Sequence, residues 1–215
     1  MTAGRRRMRT GWLMGALGAL MLLASPIRAA EPENAATFLR HLGDRAIENF
    51  ADEELSLAER EARFRRMLED NFAMRRLSRF ILGRYWRVAS EDKRLEFQET
   101  LQKVLAQRFL PMFQEYTHDD FQVKSAQRDP DTVGAYIVTT RIQEPSNDRM
   151  ITANWRVRER DDRVTGFQIF DVRAEGVSMA ITLRSEYNSV IERNGGSVAA
   201  LVDQMKKRLG ETPAE

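Results

Sequence analysis

The sequence predicts an α+β domain: helices first, then a four-stranded antiparallel meander, then closing helices. Three observations carry this. The hydrophobic period is helical up to about residue 116, alternates from 119 to 173 and is helical again beyond 176. The connections between the alternating segments are too short for the crossovers of a parallel sheet. The third alternating segment also has one apolar and one polar face, with Ile151, Ala153, Trp155 and Val157 on one side and Thr152, Asn154, Arg156 and Arg158 on the other. A chain of 215 residues, 42% apolar and 31% charged, has the size and composition of one ordinary domain.

The elements follow in order. Phe38, Leu39, Leu42, Ala46, Ile47 and Phe50 form one helical stripe. Ser56 and Glu59 have the spacing of a capping box, opening a helix that buries Phe64, Met67 and Leu68. A short helix over 74–82 stops at Gly83. Ser90 then caps the longest helix, with Glu91 and Asp92 at its positive end. Its apolar face continues to Tyr116, and Pro111 within that run is expected to kink or split it. Strands are expected over 121–126, 135–143, 150–158 and 164–173, with turns at Asp129-Pro130-Asp131, 145–148 and Asp161-Asp162. Two helices, 178–193 and 198–209, flank Gly195-Gly196.

The first thirty residues stand apart. They hold five arginines and no acid, an uncharged run over 11–24, and the small pair Ala29-Ala30. This is the layout of a secretory signal peptide, and the run is too short to span a bilayer comfortably. The reading is a signal peptide over 1–29 and a domain over 30–215, exported to a bacterial periplasm. Five of the 34 basic residues leave with the signal, so 29 face 32 acidic ones and the net charge becomes −3. Wholesale nucleic-acid binding loses its support.

Little catalytic chemistry is visible. There is no cysteine, and two histidines 77 positions apart fit no metal-ligand spacing, so no metal is expected. Gly176-Val177-Ser178 resembles a nucleophile elbow, but both histidines precede the serine, and Ser178 reads as a helix cap instead. Segment 60–87 carries nine arginines against three acids, a surface suited to anionic headgroups or an acidic partner, or an ordinary solvated face.

Two stretches go further. Ile81-Leu-Gly83-Arg-Tyr85-Trp86-Arg-Val-Ala-Ser90, with Arg94 and Phe97, is the first. Phe170-Asp171-Val172-Arg-Ala-Glu175-Gly176-Val177-Ser178 is the second, continued by Tyr187, Val190-Ile191, Asn194-Gly195-Gly196 and Leu201. Together they resemble the MlaC/toluene-tolerance family. The resemblance implies a twisted sheet and helices enclosing an apolar cavity for phospholipid acyl chains, with no cofactor. It also implies a monomeric periplasmic carrier moving lipid between an outer-membrane lipoprotein–porin complex and an inner-membrane MCE-protein/ABC-transporter complex, which maintains outer-membrane lipid asymmetry. A hopanoid-associated subgroup makes a triterpenoid cargo an alternative.

Inward apolar positions expected to touch lipid are Tyr85, Trp86, Leu101, Leu105 and Phe109 from the helices. Ile151, Trp155 and Val172 come from the strands, and Val177 and Tyr187 from the segment after them. Hinges are expected at Tyr85-Trp86 and Glu175-Gly176. Two other classes stay open: a periplasmic chaperone or tether binding polypeptide, and a small enzyme using Asp171 and His118.

Overall fold

The computed structural model describes residues 32–50, 55–113, 116–144, 149–160 and 166–210. The signal-peptide segment and the turns at 145–148 and 161–162 lie outside them. The order is α1 (Pro32–Phe50), α2 (Leu57–Asn71), α3 (Met74–Leu82), α4 (Tyr85–Val88) and α5 (Glu91–Phe113). A 3-10 turn (His118–Asp120) then leads into β1 (Phe121–Arg128), β2 (Ala135–Glu144), β3 (Arg149–Glu159), β4 (Phe167–Ala174) and β5 (Val177–Ser178). Helices α6 (Met179–Arg193) and α7 (Val198–Gly210) close the chain. The α+β reading holds.

The helix ends form for the reasons the sequence gives. Ser56 and Glu59 make a full capping box: the Glu59 N–H donates to the Ser56 hydroxyl at 3.3 Å and the Ser56 N–H to the Glu59 carboxylate at 3.0 Å. The bonds from Ser56 hold the Glu59 carboxyl below its usual range. Ser90 accepts from the Lys93 N–H. Pro111 lies in the last turn of α5 and does not split it, the helix continuing to Phe113; the backbone bond it cannot donate falls within that final turn.

The sheet is fully antiparallel in the order β1-β2-β3-β4-β5. Two bulges shape it. One lies at Val123/Ser125 on β1, the other opposite Arg156/Val157 on β4, where Phe170 is the extra residue. Each restores the inward phase of an apolar set that strict alternation would lose, so Phe121, Val123 and Ala126 share a face, as do Ile169 and Val172. The fifth strand, not among the four expected, is made by a two-residue turn. Glu175 (φ 49°) and Gly176 (φ 81°) fold β5 back onto β4.

One face of the sheet is covered by helices. Helix α1 lies over β1 and β2, α2 and α3 over β4, and α6 packs on β4 and α3. The far edge of β4 is strapped by the α2–α3 joint: the Ala73 N–H donates to the Ile169 carbonyl at 2.8 Å, beside a parallel bridge from Phe72. Ser178 caps α6, accepting from the Ile181 N–H while donating to the buried Asp171 carboxylate at 2.9 Å. The caps and strap pin α3 and α6 to the sheet by backbone-directed bonds.

Candidate functional site

Between sheet and helices lies a cavity of about 280 Å³. The sheet contributes Phe121, Ile142, Ile151, Ala153, Trp155, Val172 and Ala174. Helix α1 contributes Leu39, Leu42, Gly43, Ala46 and Ile47, and α2 contributes Phe64, Met67 and Leu68, followed by Phe72. From α5 come Leu105, Phe109, Met112 and Phe113, with Tyr116 and Met179 completing the wall. None of these side chains is charged.

Small residues hollow out this space. Ala153 and Ala174 are directly paired across β3 and β4, so two adjacent sheet positions offer only a methyl each. On α1, Gly43 admits the Phe121 ring, since a Cβ there would sit 2.5 Å from it. Trp155 stands edge-on to Phe121 at 6.4 Å and donates its Nε1–H to the Thr140 hydroxyl at 2.9 Å. Its one polar atom is thereby satisfied outside the cavity, and its ring is left as apolar wall. Phe50, Phe64 and Phe113 pack with centroids 5.2–6.2 Å apart, tying α1, α2 and α5 together beside the cavity.

Five of the ten expected lipid-contact positions meet here: Leu105, Phe109, Ile151, Trp155 and Val172. The other five lie elsewhere. Leu101 is sealed in the helical core one turn before Leu105. Tyr85 is buried against Gly196, its hydroxyl accepting from Arg84 at 2.8 Å. Trp86 packs at the core margin beneath the Arg94 guanidinium, 5.2 Å from its ring. Tyr187 faces α5 and α7, edge-on to Phe97 at 6.0 Å. Val177 is 63% exposed, which corrects the expectation of an inward side chain. Ser178 must point inward to cap α6 and bond Asp171, so its neighbour on extended backbone points outward.

Both expected hinge points are tied down. The Trp86 carbonyl accepts from the Arg94 guanidinium at 2.8 Å. Glu175 clasps Thr152 twice, its N–H donating to the Thr152 carbonyl and its carboxylate accepting the Thr152 N–H at 2.6 Å. Sequence reasoning passed over the α1 wall, whose Gly43-x-x-Ala46 spacing inside a buried stripe was the available signal.

The proposed acid/base pair is divided between partners. Asp171 is held by Ser178 and the Ala180 N–H, whereas the exposed His118 lies 3.5 Å from Asp44 on α1. The described residues contain no group of three His, Cys, Asp or Glu placed to hold a metal, and no helix long and apolar enough to cross a membrane.

An antiparallel sheet roofed by helices, with an uncharged chamber between the layers, defines an α+β protein built around an apolar binding space. Within that class the family is shown by the sequence itself, since the family model described as MlaC protein matches residues 40–207. The chain belongs to the MlaC family. Among solved structures, a phospholipid-binding protein from Ralstonia solanacearum, determined in complex with a phospholipid, has the same fold with a TM-score of 0.65. It shares 16% sequence identity, over 84% of this chain and 97% of that one. No curated protein matches.

Proposed function

We propose that the protein is a periplasmic carrier that takes phospholipid acyl chains into the cavity. It passes lipid between outer- and inner-membrane complexes of an ABC transport system, and it performs no catalysis. The observation that carries this reading is the uncharged wall. Membership of the MlaC family and the likeness in fold to a phospholipid-bound protein support it. Each methylene in water costs about 0.8 kcal/mol, so a lipid with two long chains does not cross an aqueous gap unaided. Leu105, Phe109, Ile151, Trp155 and Val172 are the proposed chain contacts, joined by the α1 wall and Ala153. With no charged side chain in the wall and a lining that is almost wholly apolar, selection among acyl chains is by volume.

The cavity must widen on loading. A cavity of about 150 Å³ accommodates one six-carbon benzene ring, so 280 Å³ holds about eleven carbons at the same density. That is short of two full chains. The α1 wall is the proposed moving part, because α1 meets the sheet through apolar contacts while the α2–α3 joint and α6 are pinned by hydrogen bonds.

The test is organic extraction of the purified protein followed by lipid mass spectrometry. Stoichiometric phospholipid is expected, and a hopanoid in its place would reassign the cargo. A folded protein that carries no lipid and takes none from vesicles would refute the carrier reading, and a protease-sensitive polypeptide cargo would establish a chaperone.

A further inference from the structure

A second concave site lies on the opposite side of α5, where α5, α6 and α7 meet. Two adjoining hollows of about 400 and 180 Å³ share Tyr187, Met205 and Arg208 in their walls. The floor is apolar, from Val190, Leu201 and Met205, and the rim is basic. Arg108 comes from α5, Arg193 from α6 and Arg208 from α7.

None of these arginines is ion-paired among the described residues. Arg193 donates to the Ser189 hydroxyl at 2.7 Å, and Arg108 lies 5.6 Å from the Phe109 ring centroid, so most guanidinium donors remain unused. Glu186 is the one carboxylate in the wall, against three guanidinium groups.

Tyr187 is the second observation. The residue is 7% exposed overall, and it lines both hollows, so its ring is packed between the helices while it still borders the open groove. Burial and the nearby Glu186 push its ionisation up to about 12, against the opposing pull of Arg208 and Arg108, so it remains a donor at neutral pH.

We propose that this groove is a second binding site, which takes a phosphoryl group on Arg108, Arg193, Arg208 and the Tyr187 hydroxyl. The three arginines come from three separate helices and flank an apolar floor, and guanidinium groups are strong donors to phosphoryl oxygens. The group belongs either to the head of an anionic amphiphile, whose short apolar part covers Val190, Leu201 and Met205, or to free phosphate. The site shares no residue with the sheet–helix cavity and stands independently of the carrier reading.

The experiment is calorimetric titration of the full chain, in phosphate-free buffer, with octyl phosphate and with inorganic phosphate. Octyl phosphate, whose eight-carbon chain is also short enough for the sheet–helix cavity, is expected to bind the groove as a component that persists when that cavity is blocked. Arg208→Gln should weaken it by about tenfold or more and Tyr187→Phe by about fivefold. Both variants are checked for native melting, and the exposed position of Arg208 makes its substitution safe for folding. Ala153→Phe, which obstructs the cavity, should leave unchanged the binding component that Arg208→Gln weakens. Equal affinity for inorganic phosphate identifies free phosphate as the ligand, and much weaker affinity identifies an amphiphile head. The proposal is overturned if neither probe binds at millimolar concentration, if Arg208→Gln has no effect, or if Ala153→Phe abolishes binding.

Discussion

Replacing Ala153 with phenylalanine puts a six-carbon ring into the middle of the cavity. Ala153 is 3% exposed and sits on the inner face of β3, beside the equally small Ala174 on β4. The space in front of it is void, so the ring meets no packed neighbour that must yield. By the benzene comparison it occupies about half the room, displacing about six carbons of cargo. At about 0.8 kcal/mol each, the lost burial is about 5 kcal/mol, or more than three orders of magnitude in affinity. The fold should not suffer. Filling a void avoids the roughly 1–3 kcal/mol of overpacking that such a substitution costs in a full core. Bound phospholipid, measured by extraction and mass spectrometry, should fall to trace levels, and competition with vesicles should give the affinity. The melting temperature should hold or rise. Wild-type lipid content with less than a tenfold change in affinity would refute the assignment of the cavity, and collapse of the fold would refute the void.

Other predictions rest on different features. Gly43→Ala should raise the helix propensity of α1 by about 1 kcal/mol in isolation but push the Phe121 ring towards Trp155 and the cavity; lower lipid uptake is expected, and undiminished uptake would show that the ring has room to spare. Ser178→Ala removes a helix cap and a bond to the buried Asp171 together, so a loss of about 2 kcal/mol in urea denaturation is expected, and one below about 0.5 kcal/mol would contradict the cap. Glu96 is held down to about 2 by hydrogen bonds from Lys206 and Lys93. Its depressed value means that its contribution is present above pH 4.5 and fades as pH falls towards 2, so wild type and Glu96→Gln should differ in melting temperature at pH 6 and converge near pH 2. Amides of α1 should exchange with solvent faster than those of α6 in lipid-stripped protein; equal protection would argue against α1 as the moving wall.

The helices and the inner strands were legible because caps, turns and periodicity act locally. Ser56, Ser90 and Ser178 each cap the helix their spacing announces. The bulges were not legible, since an extra residue such as Phe170 is specified by the partner strand and not by its own neighbours. The cavity was half legible. Leu101 and Leu105 lie one turn apart on the same stripe, yet one packs in the core and the other faces a void. An apolar pattern records that a side chain avoids water and says nothing of whether another atom stands opposite it. Tyr187 shows the same ambiguity between helices: its stripe with Leu183 and Val190 is real, but its ring turns to α5 and α7 and away from the sheet.

The two edges of the sheet are treated unequally, and this bears on how the protein survives without cargo. The β4 edge is covered by the Phe72–Ala73 strap and by β5, whereas β1 pairs only with β2 among the described strands. An uncovered strand is a template for intermolecular pairing, which leads to aggregates. Here that strand is broken by a bulge at Lys124 and carries Gln122, Gln127 and Arg128 among its exposed residues. The irregular backbone interrupts the ladder a second chain would need, and the lysine adds a charge to any attempted pairing. Two molecules meeting at this rim therefore find no continuous row of donors and acceptors, and the rim guards against fibril growth whether the chamber is empty or full.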